Sequence, residues 1–594
     1  MGDDVGEIHV LALDCQASGS TPAYGDLLEL GWATCSGAGL VGPVRSRWIL
    51  PRTARPIPRA VRELTGWSEA CLDGAVDERE AWAELRADMA GWGGGSSSSV
   101  DAPPSPADVP LPAADAPAPP AGVPTVIHFA RFEVTFLRDL CQRVEGSAAH
   151  LPLDVICLHT IAARLFPDLP RRNIRALAGH LGHSPELVRR TAGHVEATAF
   201  IWRALLPLLE EVGVRTWADL RAWIAQPAAP RARRARLVYP LAAERRTSLP
   251  DRPGVYRFLR RSGDVLYVGK ATSLRKRVAS HFRGRGPVNE RVLELLTQVH
   301  DVVPTETASL LEAALLETDE IKRLNPPYNV QLRSVDRHAW FAAADLLDAV
   351  QSPDATHRIG PLPSRRALAP LGALTLIVGG AAVTPELRAA ALAVPTVFGP
   401  PAALFDEGFR AFAAEHLGDL QTTTATAAER LAHASRALWL LRGRAEPDAP
   451  ADDAAAGPAD WDLARVRRRL ERNLVQTGLL MRRARFLCLL SDATVSFRER
   501  DMPGARALTI AAGDIRDRRD LQDVTTIFRE TGAPALFPRP HHERQACFDA
   551  AVYDRLRVLL TELHRVRQEN GEVALRIGAH TFPSDRLARL MRTI

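Results

Sequence analysis

Hydrophobic and polar residues follow two different periods along this chain, and together they predict an α/β protein. Apolar runs typical of buried strands occur at residues 8–13, 27–33 and 125–129. Residues 173–183 and 194–212 instead carry apolar side chains at helical spacing. We therefore predict an α/β domain over residues 1–215.

One stretch inside this domain has no such pattern. Residues 93–124 consist mainly of Gly, Ser, Pro, Ala and Asp. They lack the large apolar side chains whose burial could offset the entropy lost on ordering. We predict a disordered insert there, because strand-like sequence resumes at Thr125.

A β-hairpin is predicted in the middle of the chain. Gly254–Leu259 and residues 265–268 are apolar runs on either side of a polar turn. Beyond Gly269 the period becomes helical, with Leu274 and Val278 on one face. We predict a second, small α/β domain over residues 248–335.

Composition marks the remaining boundaries. Residues 226–247 are rich in Pro, Ala and Arg and predict a linker, and a similar break occurs at 445–460. Between them, residues 336–444 give no clear fold. Residues 461–594 begin with an amphipathic helix, and apolar runs at 486–490, 493–497 and 505–510 then predict strands. This indicates a mixed α+β region.

Length and charge narrow the class of protein. With 594 residues, 46% of them hydrophobic, the chain can form several domains with real cores. A net charge of +5 means that any DNA affinity must come from local basic clusters. Seven scattered cysteines without a CxxC pair predict neither zinc nor disulfides. No signal peptide or membrane span is evident, so we expect a cytoplasmic, nucleoid-associated protein without a membrane partner.

Lysine is almost absent from this chain. Its only lysines are Lys270, Lys276 and Lys322, all within the predicted second domain. A retained ammonium suggests a position where a planar guanidinium cannot substitute, and Lys270 is the strongest candidate. Lys276 and Lys322 are explained equally well as solvated helix positions.

The hairpin and the helices after it resemble the GIY-YIG endonuclease family, in particular its UvrC- and Cho-type members. The resemblance rests on Gly254–Leu259, on residues 266–270 and on Arg277. It continues through residues 312–317, 321–322 and 326–330 in the order and spacing of that family. A weaker likeness to the stretch after the UvrC nuclease domain covers residues 357–364.

The resemblance implies a role for each polar residue of this segment. Glu317 would hold a single divalent cation, Mg²⁺ or alternatively Mn²⁺, and Tyr256 or Tyr267 would handle the proton of the attacking water. Arg277 would bind the scissile phosphate through its planar fork of donors, supported by Lys270.

Further residues are expected to contact nucleic acid around these catalytic candidates. His281 departs from the family, which usually has tyrosine there. Asn329 is expected to fix loop geometry first and to contact DNA second. The full set of nucleic-acid contacts predicted from the resemblance is Lys270, Arg275, Lys276, Arg277, His281 and Asn329.

The order of elements from 8 to 212 resembles the DnaQ-like DEDDh exonucleases, which have an RNase H-like fold. Asp14 matches the first motif, but Gln16 replaces its glutamate, and Glu133 is a longer carboxylate than the family's aspartate. In the third motif Arg189 stands for the histidine base and His194 for the aspartate. The exonuclease motifs are therefore degenerate.

These replacements predict an inactive exonuclease. Two-metal hydrolysis needs several carboxylates and a base, and a guanidinium stays protonated. The domain would then bind DNA or a partner, or act as a scaffold. A rescue would use His183 or His194 to activate water, with Glu196 as a metal ligand.

The sequence thus predicts a structure-specific DNA repair endonuclease that nicks one strand of damaged DNA in nucleotide excision repair. DNA and damage-recognition proteins are the expected partners. Two alternatives remain: a bifunctional endonuclease and 3′–5′ exonuclease, and a repair adaptor without catalysis.

Overall fold

The computed structural model describes most of the chain. Described residues are 4–53, 55–90, 122–183, 189–227, 237–283, 289–330, 338–418, 426–442, 461–529 and 540–591. The predicted insert lies outside them up to residue 121. Its last residues differ from the prediction, because the next strand already begins at Val123.

A six-stranded sheet forms the centre of the N-terminal region. Its strands are β1 (Val10–Ala17), β2 (Leu27–Ser36), β3 (Gly39–Leu40), β4 (Arg45–Trp48), β5 (Val123–Ile127) and β6 (Leu153–Cys157). The order is β3-β2-β1-β5-β6, with β4 also paired to β2. β1 runs antiparallel to β2 and parallel to β5, which is parallel to β6. The predicted α/β fold of this region is confirmed.

Helices cover both faces of this sheet. They are α1 (Arg59–Thr65), α2 (Glu78–Ala90), α3 (Ala130–Glu145), α4 (Leu158–Leu165), α5 (Ile174–His180), α6 (Thr191–Glu211) and α7 (Trp217–Ala225). Alternate residues of β1 enter different cores, Ala12 with α6 and Leu13 with α3, because strand side chains alternate between faces. Trp217 and Leu220 join the first core, so the domain extends beyond the predicted end at residue 215.

The second domain is a three-stranded antiparallel sheet with helices. Its elements are α8 (Ala243–Thr247), β7 (Gly254–Leu259), β8 (Val265–Ala271), α9 (Leu274–His281), α10 (Glu290–Gln298), β9 (Asp301–Glu306) and α11 (Leu310–Leu324). The order is β8-β7-β9. The predicted linker is partly structured, because Leu241 is buried in this domain's core and α8 follows it.

Residues beyond 337 form a small sheet, a helical cluster and a second antiparallel sheet. The first part contains β10 (Trp340–Ala343), β11 (Ala349–Val350), β12 (His357–Leu362), α12 (Ala369–Val378), α13 (Pro385–Leu392), α14 (Ala402–His416) and α15 (Ala427–Arg442). The second contains α16 (Leu463–Leu490), β13 (Thr494–Arg498), β14 (Ala505–Ala511), β15 (Asp514–Leu521), α17 (His541–Gln545), α18 (Ala550–Gln568), β16 (Glu572–Ile577), β17 (His580–Phe582) and α19 (Ser584–Met591).

The C-terminal sheet has the order β15-β14-β13-β16-β17. Two of its strands occur where the apolar runs predicted them. The prediction of a strand at 486–490 is wrong, because these residues are the last turn of α16 and pack beside Val495 in the core. A short apolar run alone cannot separate a strand from a buried helix end.

Helix α11 belongs to two cores. Ala313 and Ile321 pack against Val255 and Val268 of the hairpin. Leu311 and Leu315, on another face of the helix, lie in the core formed by α16, α18 and the C-terminal sheet. The second domain and the C-terminal region therefore share one helix. Among the described residues, no helix combines the length and apolar character that crossing a bilayer requires.

Candidate active site

Two tyrosines meet on one face of the β7–β8 hairpin. Tyr256 is opposite Gly269 and Phe258 is opposite Tyr267 in the strand register. The two tyrosine rings lie 6.0 Å apart between centroids. A Cβ atom at Gly269 would approach the Tyr256 hydroxyl to 2.6 Å, so only glycine permits this arrangement. This explains why the second strand carries glycine between Val268 and Lys270.

The two phenols have different surroundings. Tyr256 is fully buried, and its hydroxyl lies 2.7 Å from His281 Nε2. Tyr267 is only partly buried. Burial raises the pKa of both phenols above the ordinary value, and the Glu317 carboxylate raises the pKa of Tyr267 further. Both are therefore neutral near pH 7, and Tyr267 is the one that solvent or substrate can reach.

His281 closes this aromatic group from α9. Burial, and then the positive charge of Arg277, lowers the pKa of His281 to about 4. The imidazole is thus neutral near pH 7. It stands where the family usually has tyrosine, and it serves here as the hydrogen-bond partner of Tyr256.

Glu317 faces the end of β8 from α11. Ser309 caps this helix by accepting a hydrogen bond from the Glu312 amide. Glu317 Oε1 accepts a hydrogen bond from the Lys270 backbone N–H at 3.0 Å. Burial raises the pKa of the Glu317 carboxyl, whereas the charge of Lys270 lowers it.

A divalent cation fits this carboxylate. Within the described part of the chain, Glu317 Oε2 has no protein hydrogen bond. Mg²⁺ is commonly held through one or two carboxylates while keeping several waters, so a single half-buried glutamate beside polar tyrosines is a suitable donor set.

The basic residues of α9 separate into two groups. Arg277 faces the site, since its charge lowers the pKa of both Tyr256 and Tyr267. Arg275 is paired with Asp251 at 2.7 Å, and Lys276 is 3.9 Å from the same carboxylate and highly exposed. Of the three, only Arg277 therefore acts on the two tyrosines, and phosphate binding by Arg275, Lys276 and Arg277 stays a prediction.

Asn329 supports the hairpin from the chain that follows α11. Its Oδ1 accepts from the Val268 N–H and its Nδ2 donates to the Val268 carbonyl, both at 2.9 Å. The side chain is buried. This use of both ends of the amide agrees with the structural role expected first for Asn329, and its contact with nucleic acid stays a prediction.

Two of the lysines, Lys270 and Lys322, form ion pairs with α18. The Lys270 ammonium lies 2.5 Å from Glu562 Oε1, and that of Lys322 lies 2.6 Å from Asp554 Oδ2. Lys322 is therefore an interface residue, and only Lys276 is a solvated position. No motif in the sequence pointed to Glu562.

The degenerate exonuclease residues also converge. Both Asp14 oxygens lie 3.1 Å from His194 Nδ1. Glu133 Oε2 accepts the Cys15 N–H at 3.1 Å, and Gln16 Nε2 donates to the Arg189 carbonyl at 2.5 Å. Burial raises the pKa of both carboxyls, Asp14 and Glu133. An imidazole therefore occupies the position from which the family's aspartate would bind metal.

Of the residues proposed for a rescue, His194 contacts Asp14. His183 and Glu196 line a separate depression together with Phe200 and Arg203. A further buried carboxylate, Glu29, is held by the Thr191 N–H at 3.1 Å and by Arg190. The prediction of an inactive exonuclease stays a prediction, and this geometry agrees with it.

Comparison with known proteins identifies the second domain. Residues 252–330 match the family model of the UvrC-like GIY-YIG domain. The "Putative bifunctional exonuclease/endonuclease protein" of Mycobacterium tuberculosis is 31% identical over 255 residues, which are 42% of this chain and 38% of that protein. The UvrABC system protein C of Alkalilimnicola ehrlichii is 50% identical over 94 residues, 16% of this chain and 15% of that protein.

Solved structures include the magnesium-bound GIY-YIG N-terminal endonuclease domain of UvrC from Thermotoga maritima. It is 30% identical, with 15% of this chain and 93% of that chain covered and a TM-score of 0.14. The chain thus spans less than two fifths of the length of either curated relative described above. The resemblance to UvrC-type GIY-YIG domains is confirmed for residues 252–330.

Proposed function

We propose that this chain, which contains a UvrC-like GIY-YIG domain at residues 252–330, is a metal-dependent DNA repair endonuclease. It would nick one strand of damaged or irregular DNA in excision repair. The observation that carries this proposal is the convergence of Tyr267, Arg277 and Glu317 at the open end of one hairpin.

Each group has a chemical role in phosphodiester hydrolysis. A cation held by Glu317, Mg²⁺ or Mn²⁺, would neutralise charge on the phosphate and lower the pKa of a bound water. Arg277 would bind the scissile phosphate with its planar donors. Tyr267, the more accessible phenol, would take the proton of the attacking water as a phenolate, which requires that Arg277 and the bound cation first lower its pKa so that its own proton leaves to solvent. Tyr256 and His281 would hold Tyr267 in place from behind.

The N-terminal domain is proposed to bind DNA or a partner without cutting. Support comes from His194, which pairs with Asp14 where a metal-binding carboxylate would be needed. A bifunctional enzyme is the second candidate, because the Mycobacterium tuberculosis relative is named as an exonuclease and endonuclease. Digestion of end-labelled DNA by the Glu317→Ala protein separates the two, since residual 3′ trimming would favour the second.

Partners and location follow from the substrate. UvrABC system protein C is by its name part of a multicomponent system, and we propose that damage-recognition proteins present DNA to this chain as well. Because the proposed substrate is DNA, we also propose a cytoplasmic, nucleoid-associated location.

Nicking of a lesion-bearing duplex with Mg²⁺ or Mn²⁺ tests the proposal, with and without a damage-recognition complex. We expect cutting by the wild type and a loss of at least about 100-fold in Tyr267→Phe and Glu317→Ala. Tyr24→Phe is the control, because Tyr24 is 76% exposed in the N-terminal domain. Absence of nicking by the wild type under all these conditions would favour the adaptor alternative instead.

A further inference from the structure

A carboxylate from the C-terminal region lies inside the candidate active site. Glu562, on α18, places Oε1 2.5 Å from the Lys270 ammonium, although 292 positions separate the two residues. The Glu562 side chain is only 6% exposed and that of Lys270 33%. Burying a charged carboxylate costs desolvation free energy. The groups that pair with Glu562, and the orientation they give it, therefore indicate its role.

Glu562 is fixed from its other side as well. Its Oε2 accepts from Arg565 Nε at 2.6 Å, and Arg565 Nη2 lies 2.6 Å from Glu499 Oε1. Glu499 in turn accepts the first backbone N–H groups of α11, from Leu310 at 3.2 Å and from Leu311 at 3.0 Å. The chain of contacts therefore starts on α11, crosses the C-terminal region and returns to Lys270.

Lys270 connects this chain of contacts to Glu317, the candidate metal ligand. Its backbone N–H donates to Glu317, which is on α11 again. Apolar packing supports the same arrangement, since Leu311 and Leu315 of α11 share a core with Leu556 and Leu559 of α18. Helix α18 thus packs against α11 and contributes Glu562 to the site.

We propose that Glu562 is a positioning residue of the nuclease site, which holds the Lys270 ammonium away from Glu317 so that Glu317 remains available to a cation. The lysine has a flexible four-carbon stem, and Glu317 is the carboxylate that its backbone already contacts. Without Glu562, the ammonium would turn towards Glu317 and compete with the metal. The inference rests on the proposed function.

The decisive variant is Glu562→Gln in the full-length protein, with Asp554→Asn as matched control. Asp554 lies on the same helix, is buried, and pairs with Lys322 of α11 at 2.6 Å. Mn²⁺ binding is measured directly by electron paramagnetic resonance without DNA. We expect about 10-fold weaker binding for Glu562→Gln, in the range typical of groups that orient metal ligands, and no change for Asp554→Asn.

Activity gives a second readout. The Mg²⁺ concentration for half-maximal nicking should rise by a similar factor in Glu562→Gln, with most of the maximal rate recovered at saturating Mg²⁺. Adding Lys270→Met to Glu562→Gln should restore Mn²⁺ binding, because the competing ammonium is gone. Failure of this rescue, unchanged Mn²⁺ binding, or faster nicking by Glu562→Gln would each overturn the proposal.

Folding of the Glu562 variant and nicking by the wild-type protein are tested separately. If Glu562→Gln does not fold, Glu562→Asp keeps the charge but withdraws it from Lys270, and weaker Mn²⁺ binding is again expected. If the wild type binds Mn²⁺ but never nicks DNA, the proposed endonuclease function fails while the comparison of Mn²⁺ affinities still decides the role of Glu562.

Discussion

Single side chains in this site are distinguished by burial more than by type. Tyr256 and Tyr267 are alike in sequence, yet one is sealed beneath His281 and the other is reachable. Arg275 and Arg277 are two positions apart, yet the first is neutralised by Asp251 and the second faces the tyrosines. The roles that the family resemblance left open for these residues are narrowed by their surroundings.

The two tyrosines are expected to respond differently to loss of the hydroxyl. Tyr256→Phe leaves His281 Nε2 without its 2.7 Å partner in a buried place, so we expect a loss of about 1–3 kcal/mol in the free energy of unfolding. Tyr267→Phe should change stability by less than about 0.5 kcal/mol but remove nicking. Urea unfolding and nicking rates check this pair, and the reverse pattern would contradict it.

His281 makes stability depend on pH. Its pKa in the fold is about 4, below the ordinary 6.5, so the unfolded chain takes up the proton first as pH falls. Stability is therefore full above pH 6.5 and is lost down to about pH 4, with about 2 kcal/mol gone at pH 5. Urea unfolding at pH 7 and pH 5 should show a smaller difference for His281→Asn than for the wild type. Equal differences would refute this role.

At the scale of elements, the hairpin depends on close backbone packing. Gly269 lets β8 approach the Tyr256 ring, and Asn329 holds the same strand by two hydrogen bonds to Val268. The strand and turn positions could be predicted from period and composition, whereas the long-range clamp by Asn329 could not.

Adding one methyl group at this contact should destabilise the fold. In Gly269→Ala the new Cβ would lie 2.6 Å from the Tyr256 hydroxyl, so we expect about 1–3 kcal/mol of destabilisation and strongly reduced nicking. Gly42→Ala is the control, because a Cβ there meets nothing within 4 Å. Thermal melting of both variants is the measurement, and equal melting temperatures would disprove the packing argument.

For the molecule as a whole, α11 joins the nuclease domain to the C-terminal region. One face of the helix packs on the hairpin, and Leu311 and Leu315 pack into the C-terminal core. Three lysine or arginine contacts add to this surface: Lys270 with Glu562, Lys322 with Asp554, and Arg555 with Asp319. The predicted boundary at residue 335 therefore divides the sequence but not the packing.

One substitution with opposite expected effects in the full chain and in a fragment tests whether α11 packs into the C-terminal core. In the full chain, Leu315→Glu places a charge in a core, and we expect at least about 3 kcal/mol of destabilisation. In a fragment ending at residue 335 the same change should improve solubility, because Leu315 is then exposed. Melting temperature and sedimentation behaviour of both forms are the measurements. Destabilisation in both forms alike would mean that α11 does not need the C-terminal core.

The sequence by itself determined the hairpin, its two tyrosines, the α/β character of the first domain and the approximate positions of most elements. Those features depend on hydrophobic periodicity, turn residues and motif spacing, and each of these patterns lies within a short segment of the chain. Only the tertiary structure decided that His194 pairs with Asp14, that Asn329 faces inward and that Glu562 holds Lys270. These contacts join residues far apart in the chain, and their choice depends on which helix faces pack together, which no local pattern specifies.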